Sequence, residues 1–584
     1  MSATLFKEVS YSLAKLVADI GMGEIGLPDI QRPFVWPNTK VRDLFDSMYR
    51  GFPVGYLLFW ANGIGNDHRS VGGGPRQSAP RLLIVDGQQR LTCLYAVLRG
   101  RPVVRDSFQS EKIQIAFRPS DCKFEVADAA ILRDPEYIAD ISQLWTSEKT
   151  LNRFTKDFIA RLRNARSVEE ADEDRLTERI HQLHGLEDYP FTALELSSTV
   201  DEEQVAEVFV RINSRGTPLN QADFILTLMS VFWDDGRAEL ERFCRAARTP
   251  SVGAASPYNH FLQPDPDQLL RVDVGLGFRR ARLQHVYSIL RGKDLDTGEF
   301  SDDRRMQQFL VLEDAQKSVL NLENWHDFFK AILRSGYRAS WMVTSRNALL
   351  YTYVLYLVGR RDCATDSHVL RDAVARWFFM ATLTGRYTGS FETVMEQDLN
   401  RLRDVSDGGL FASTLDHVVR DTLTDDYWNI TLPNELATPS PRTPSLYAYY
   451  AALNLLGAKV LFSSVKVAEL LDPAIHARKS ALERHHLFPK GYLNRMGYTA
   501  QRDVNQIANY ALVEWGDNAR ISDEPPAKYS PRYCKSIPAQ QMQRMRYWHG
   551  LPEGWEHMEY RVFLEARRKL MARVVHDAYL ELLG

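Results

Sequence analysis

The sequence of 584 residues has little cysteine, and what it has is scattered. Its five cysteines lie far apart, and no two of them form a Cys-x-x-Cys pair. The spacing therefore excludes a disulfide framework and an all-cysteine zinc site as predictions, and a reducing compartment fits it better.

Long apolar runs are also missing. The longest segments free of Asp, Glu, Lys and Arg are 16 residues long, at 51–66, 249–264 and 443–458. A membrane helix needs about 20 apolar residues, so none of these segments is predicted to span a bilayer. The first residues, MSATLFKEVSYSLAKLV, carry acidic and polar interruptions that are not typical of a signal peptide. We therefore predict a cytoplasmic protein without a membrane partner.

Neither sign of charge is in excess, because 72 Lys and Arg face 75 Asp and Glu. This balance argues against a purely electrostatic DNA binder but allows a local basic groove. The hydrophobic content of 45%, with 28 Phe, 25 Tyr and 11 Trp, excludes disorder as the dominant state. The sequence contains no GxxxxGK[ST] motif, so a P-loop NTPase is not predicted.

The length predicts three or four domains, and the pattern of apolar residues divides the chain into three zones, 1–235, 236–435 and 436–584. In the first zone, strand-like runs at 55–60, 81–85 and 113–117 alternate with helical stretches at 40–49 and 89–98. The second zone is mostly helical, and a Pro-rich linker, LPNELATPSPRTPS, precedes the third. We therefore predict a multidomain α+β protein.

The segment LLIVDGQQRLTCLYAVL predicts a buried strand, a tight turn and a helix. Gln88, Gln89 and Arg90 fall in the first helical turn, where backbone N–H groups and an arginine form an anion site suited to phosphates. Gly87 would let a phosphate approach the backbone. Asp86 could cap the helix or hold a metal ion on a nucleotide. The other interpretation is an ordinary turn with an N-cap.

The segment ERHHLFPKGYL, residues 483–493, carries two adjacent histidines. On an extended strand their side chains point to opposite faces. A histidine supplies a base near neutral pH, and hydrolysis of a phosphodiester also requires a divalent cation. Pro489 and Gly491 are expected to form a bend after the histidines. The pair alone is more typical of surface or core packing than of catalysis.

The segments QRPF, FPVG and DGQQR occur in this order and together resemble the N-terminal domain of GmrSD-type restriction enzymes. That domain is similar to the ParB/sulfiredoxin fold. The resemblance implies that Asp86, Gly87, Gln88, Gln89 and Arg90 bind a nucleoside triphosphate, with Gln31 and Arg32 beside them, and that the domain hydrolyses it as several family members do. It leaves GTP, ATP and CTP open. It also places the bend at Asn213, Arg215 and Gly216 near the pocket, although a left-handed turn alone would explain those residues.

The segment HHLFPK, followed by Asn509 before a strand at 510–514 and then by Asn518, resembles the HNH nuclease pattern found fused to GmrSD-type enzymes. The resemblance implies a ββα-metal domain that binds Mg²⁺ or Mn²⁺. By position, His485 and Asn518 would be metal ligands, His486 the general base, and Asn509 a brace for the hairpin.

Together the two resemblances imply three domains. These are a ParB/sulfiredoxin-like domain for NTP binding and sensing at 1–235, a helical connecting domain at 236–435 and an HNH nuclease domain at 436–584. The expected function is an NTP-regulated, modification-dependent DNA endonuclease or nickase in anti-phage defence, whose partner is base-modified or phosphorothioated DNA. The alternatives are a toxic nuclease directed at RNA or host DNA, and an NTP-binding regulatory DNA-binding protein. A homodimer is left open, since one HNH site per chain cuts one strand at a time.

Three further clusters allow a DNA contact or one other interpretation each. The other interpretation is a solvated helix face for Arg279, Arg280 and Arg282, an interdomain contact for Arg386, Tyr387 and Ser390, and the charged outer face of a packing helix for Arg567, Arg568 and Lys569. Trp548 and Trp555 are expected in the core.

Overall fold

The computed structural model divides the chain into two compact units, Met1–Asp234 and Asp235–Gly584. The structure describes residues 5–26, 34–61, 80–105, 109–200, 204–205, 208, 221–294, 297, 301–473, 482–514 and 520–584. Four residues singled out above, Gln31, Arg32, Asn213 and Asn518, lie outside these ranges, as do Arg215 and Gly216.

The first unit contains a mixed five-stranded sheet. Its strands are β1 (Phe6–Ser12), β2 (Ile25–Gly26), β3 (Leu57–Ala61), β4 (Leu82–Asp86) and β9 (Pro190–Leu196), in the order β1-β9-β3-β4-β2. The β1–β9 and β3–β4 pairs are antiparallel, whereas β9–β3 and β4–β2 are parallel. Strands β3 and β4 are almost wholly buried, which explains why both read as unbroken apolar runs in the sequence.

Among the described residues of the first unit, two short antiparallel strand pairs and seven helices accompany the sheet. The strand pairs are β5 (Val103–Val104) with β6 (Ser110–Glu111) and β7 (Ile115–Arg118) with β8 (Lys123–Val126). The helices are α1 (Leu13–Gly21), α2 (Asn38–Tyr49), α3 (Gln88–Leu98), α4 (Gln143–Thr146), α5 (Leu151–Arg163), α6 (Glu170–His184) and α7 (Gln221–Phe232). The strands and helices predicted around 40–49, 55–60, 81–98 and 113–117 are confirmed within two residues or so at each end.

The second unit is mainly helical. Its helices are α8 (Asp234–Ala246), α9 (Pro266–Phe278), α10 (Leu283–Leu290), α11 (Asp302–Val319), α12 (Leu322–Arg334), α13 (Arg346–Leu357), α14 (Ser367–Leu383), α15 (Phe391–Arg401), α16 (Gly408–Thr422), α17 (Leu432–Glu435), α18 (Pro444–Leu455), α19 (Val467–Leu470), α20 (Lys490–Arg495), α21 (Gln501–Val504), α22 (Pro526–Cys534), α23 (Ala539–Trp548) and α24 (Tyr560–Leu583). Helices α13, α14 and α18 are buried on nearly every face, so they form the centre of the unit.

One antiparallel strand pair lies within this helical unit. It consists of β10 (Leu482–His486) and β11 (Tyr510–Glu514), in a register that places His486 opposite Tyr510. The prediction of an α+β protein with an N-terminal sheet and a helical remainder is confirmed. Within the described residues, no helix combines the length and apolar character needed to cross a membrane.

Two arginine clusters of the helical unit form ion pairs within the unit. Arg279 pairs with Asp362, and Arg280 Nη1 donates to Glu396 Oε1 at 2.7 Å. Arg386 Nε donates to the buried Asp398 carboxylate at 3.0 Å. These ion pairs join neighbouring helices and loops, so the arginines serve packing in this unit. The expectation that Trp555 is core is confirmed, at 2% exposure.

Helix α9 carries a buried carboxylate without a partner. Asp273 is 0% exposed, and neither of its oxygens has a hydrogen-bond partner among the described residues. Burial therefore raises the pKa of Asp273 well above its ordinary value, because the charged form loses its hydration.

We expect Asp273→Asn to raise the free energy of unfolding, by more at pH 8 than at pH 5. A carboxyl with a raised pKa in the folded state stabilises fully only below its unfolded pKa, and the contribution is lost as pH rises, at about 1 kcal/mol per pH unit. The amide cannot ionise and escapes that loss. Thermal unfolding at the two pH values measures the difference, with the exposed Asp314→Asn as control. An equal gain at both pH values would contradict the interpretation.

Candidate functional site

The first candidate site lies where β4 meets α3 in the N-terminal unit. Asp86 ends β4, Gly87 adopts a left-handed φ of +97°, and α3 begins at Gln88. The structure gives Gly87 a packing reason as well, since a Cβ there would lie 2.4 Å from Leu57 Cδ2. The predicted strand, turn and helix are confirmed. Asp86, however, does not cap the helix: no side chain caps α3 at its N-cap.

Arg90 fastens the FPVG segment to the first turn of α3. Its Nη1 donates to the Val54 carbonyl at 2.6 Å, and its Nη2 donates to the Tyr56 carbonyl at 2.8 Å and to Asp86 Oδ2 at 3.1 Å. A Cβ at Gly55 would lie 2.8 Å from Nη1, so glycine makes room for the guanidinium. Burial lowers the pKa of Arg90, while Asp86 opposes that shift. Two of the three motif segments therefore meet at this arginine.

The third segment, which follows Gln31 and Arg32, reaches the same helical turn. The Val35 N–H donates to Gln89 Oε1 at 3.1 Å, and Arg105 Nη1 donates to the Trp36 carbonyl at 2.7 Å. Gln88 makes a longer contact of 3.4 Å to the Ile84 carbonyl. The structure therefore brings residues 34–36, which directly follow the part of QRPF outside the described residues, together with FPVG and DGQQR at the start of α3. Arg105, which sequence reasoning missed, secures the first of them and had no local signal beyond its charge.

We expect Arg90→Met to lower the free energy of unfolding of the N-terminal unit by about 3 kcal/mol. The substitution keeps the apolar stem but leaves two carbonyls and the Asp86 carboxylate without their donor, and hydrogen bonds to charged groups contribute about 1.5–3 kcal/mol each. Chemical unfolding measures the loss of stability, and hydrogen exchange of residues 52–56 shows whether this segment loosens. Arg99→Met, at the exposed end of the same helix, is the matched control. Equal stability of the two variants would contradict this role.

The second candidate site surrounds the β10–β11 pair. Asn509 is fully buried at the end of a 3₁₀ turn, Ile507–Asn509, just before β11. Its Oδ1 accepts from the Phe488 N–H at 2.8 Å, and its Nδ2 donates to the Phe488 carbonyl at 3.0 Å and to the Val504 carbonyl at 3.2 Å. A single amide thus fixes the chain directly after the histidine pair. The predicted strand at 510–514 is confirmed.

His486 lies at the end of β10 and is held by a residue that sequence reasoning missed. Its Nε2 lies 3.1 Å from Asn505 Oδ1, and its ring centroid lies 4.6 Å from that of Tyr510. An amide oxygen only accepts, so Nε2 carries the proton and Nδ1 keeps its lone pair. Burial lowers the pKa of His486 to about 4, and Lys490 adds to the shift, whereas Asn505 opposes it. The ring is therefore neutral at pH 7.

His485 points into the interior, as expected for neighbours on a strand. It is 3% exposed, and its ring stands edge-on to that of Tyr529 at 5.7 Å. Tyr529 in turn donates to the Leu487 carbonyl at 2.6 Å. The bend expected at Pro489 and Gly491 was a wrong prediction. Pro489 is the N-cap of α20, and Gly491 lies inside that helix, where a Cβ would lie 2.2 Å from Asp523 Oδ2.

Arg567 on α24 anchors this site from within and is not a phosphate contact. It is 0% exposed, and it donates to the carbonyls of Ala508 at 2.6 Å, Tyr510 at 2.7 Å and His549 at 3.1 Å. The interpretation of Arg567 as a surface residue for DNA or as a charged outer face is therefore wrong. Burial lowers its pKa.

Comparison with known proteins finds a family match within the first unit. Residues 13–230 match the family described as "GmrSD restriction endonuclease, N-terminal domain". This match confirms the resemblance drawn from QRPF, FPVG and DGQQR, since all three segments lie inside the matched residues. The chain is also similar to an uncharacterised protein of Methanocaldococcus jannaschii, at 22% identity over 559 residues that cover 89% of this chain and 86% of that protein.

Proposed function

We propose that this chain is a nucleotide-regulated, modification-dependent DNA endonuclease or nickase in which His486 is the general base. The observation that carries the proposal is the pair formed by His486 and Asn505, at the end of a strand whose following turn is clamped by Asn509. The GmrSD-type domain at 13–230 supports a role in restriction and therefore DNA as the substrate.

His486 would take the proton from the attacking water. Because the Nε2–H donates to Asn505, Nδ1 is the ring nitrogen whose lone pair can accept that proton. The Asn505 oxygen then stabilises the imidazolium that forms, since it accepts from the same N–H throughout. Asn509 would keep the chain after the histidines in place, so that the base faces the phosphodiester in one orientation.

Mg²⁺ or Mn²⁺ would be held by His485 and Asn518, together with water and phosphate oxygens. His485, which is 3% exposed, would supply a ring nitrogen to the cation. Across the described ranges, no three His, Cys, Asp or Glu side chains converge on a common point. A bound cation would neutralise the charge that develops on the leaving oxygen.

A nucleoside triphosphate would bind at the start of α3, where Asp86, Gly87, Gln88, Gln89 and Arg90 gather. Support comes from the left-handed turn and the helix N-terminus, which suit phosphate groups. Val35, Phe52 and Tyr56 are each more than half exposed beside this turn and offer an apolar surface to a base and ribose. Nucleotide binding there would control cleavage by the second unit.

A plasmid-cleavage assay tests the proposal. It uses Mg²⁺ or Mn²⁺, with and without ATP, GTP or CTP, on unmodified, glucosyl-hydroxymethylcytosine and phosphorothioated DNA. We expect cleavage that requires His486, responds to one nucleotide and depends on one modification. Cleavage of RNA alone would favour the toxic nuclease, and nucleotide binding without any cleavage would favour a regulatory protein.

A further inference from the structure

A two-lobed cavity in the helical unit belongs to neither site. The larger lobe, the aromatic lobe, has a volume of about 750 Å³ and the smaller, the polar lobe, about 460 Å³. The segment 258–261 lines both lobes, so they lie side by side. Small-molecule sites typically enclose about 300–1,000 Å³, so each lobe is large enough for one ring system or sugar phosphate.

The aromatic lobe has planar apolar walls. Phe261 and Phe329 stack with ring centroids 5.4 Å apart and an interplanar angle of 13°, and Trp325 lies 5.7 Å from Phe329. Tyr258 completes the lining on the side shared with the polar lobe. Such walls suit a flat, aromatic ligand, because stacking on aromatic faces tolerates any base.

The segment between the lobes is rigid. Asn259 Oδ1 accepts from the N–H groups of Phe261 and Leu262 at 2.8 Å each, and its Nδ2 donates to the Pro257 and Leu262 carbonyls. The Ser340 N–H donates to the His260 carbonyl at 3.0 Å. These bonds hold Phe261 in the wall, so the cavity is formed before any ligand arrives.

Arg338 indicates which hydrogen-bonding groups the ligand presents. It lines the aromatic lobe, its Nε is buried, and it makes no hydrogen bond or ion pair with any residue in the described part of the chain. Glu323 lines the same lobe. A ring bound there therefore meets a donor and an acceptor, and a nucleobase presents both kinds of group on its edges. Arg346, 64% exposed, lines the polar lobe and suits a phosphate.

We propose that this cavity receives one nucleotide extruded from nucleic acid, with its base in the aromatic lobe and its phosphate beside Arg346. A stacked duplex cannot enter a concave cavity, so the base must leave the helix, as it does in enzymes that inspect single bases. This proposal rests on the proposed function because it presupposes a nucleic-acid substrate. It adds the place where a modified base is examined, in the helical unit and not at the α3 turn.

Photo-crosslinking maps the base directly. A short duplex with one 5-iodocytosine opposite a mismatch is bound by the full-length protein without divalent ions, irradiated and digested for mass spectrometry. We expect crosslinks in peptides that contain Tyr258, Phe261, Trp325 or Phe329. Crosslinks confined to other peptides, with the duplex bound, would overturn the cavity assignment and leave the cleavage proposal untouched.

Binding of the same duplex, measured by fluorescence anisotropy, gives an independent result. We expect Arg338→Met and Phe329→Leu each to raise Kd about 10-fold, which is the size of one lost stacking or edge contact. Arg334→Met is the matched control, since Arg334 lies on α12 with Phe329 but pairs with Asp372 outside the cavity lining. Unchanged Kd in both cavity variants, or no binding by the wild type, would overturn the proposal. Cleavage is measured in a separate assay, so this result does not decide the proposed nuclease function.

Discussion

Substitution of His486 by alanine is expected to abolish DNA cleavage, with a loss in kcat of about 10³-fold or more, and to leave nucleotide turnover intact. General base catalysis contributes about 10²–10⁴-fold, and the neighbouring imidazole, that of His485, is buried in the interior. Initial rates of plasmid nicking at saturating DNA measure the loss. The exposed His557→Ala is the matched control for the removal of a histidine from the same unit.

Two substitutions of Asn505, measured in the same assay, distinguish a role in positioning His486 from a role in folding. We expect Asn505→Leu to lower kcat about 10²-fold at unchanged KM, because the ring loses the acceptor that keeps the proton on Nε2. Asn505→Asp retains an acceptor at that position and is expected to restore most of the rate. A His486→Ala protein that still cuts DNA would sink the assignment of the base. Equal rates for Asn505→Leu and Asn505→Asp would sink the role of Asn505.

Arg567→Leu is expected to lower the free energy of unfolding of the second unit by about 3–5 kcal/mol and to eliminate cleavage. The substitution removes the shared donor of three buried carbonyls, and buried polar groups without partners are costly. Denaturant unfolding measures the stability, and hydrogen exchange of residues 505–514 shows whether the second strand and its turn loosen first.

Two further variants make this test specific. Arg567→Lys keeps the charge but has no planar fork, so it should restore only part of the stability. Arg573→Leu, on the same helix and 73% exposed, should change stability little. If Arg567→Leu unfolded like Arg573→Leu, the three carbonyl contacts would carry no net stability, and the anchor role would be wrong.

The sequence specified local structure well where short-range signals agree. LLIVDGQQRLTCLYAVL gave its strand, its turn and its helix, because apolar run, Asp-Gly turn and helical period point to the same arrangement. The short strand predicted at 510–514, after a turn at Asn509, is also confirmed. The convergence of the three N-terminal motifs was implied only by the family resemblance, and the structure supplies the contacts.

The contacts that complete the sites could not be predicted from the sequence because they are long-range and break composition rules. Arg567 lies 59 residues from Ala508, and arginine is almost never fully buried, so a surface role was the natural prediction. Asn505 carries no local signal that distinguishes it from Gln506 or Asn509. Pro489 and Gly491 were read as a bend, although Pro before a first helical turn starts helices equally well.

The position of Arg567 also orders events during synthesis. Both strands of the β10–β11 pair leave the ribosome before the residue that secures their backbone, and at about 5–20 residues per second the delay from Tyr510 to Arg567 is about 3–10 s. A nascent chain therefore carries the β10–β11 pair before the donor of its backbone contacts exists, so this part of the second unit is completed only once α24 has been made.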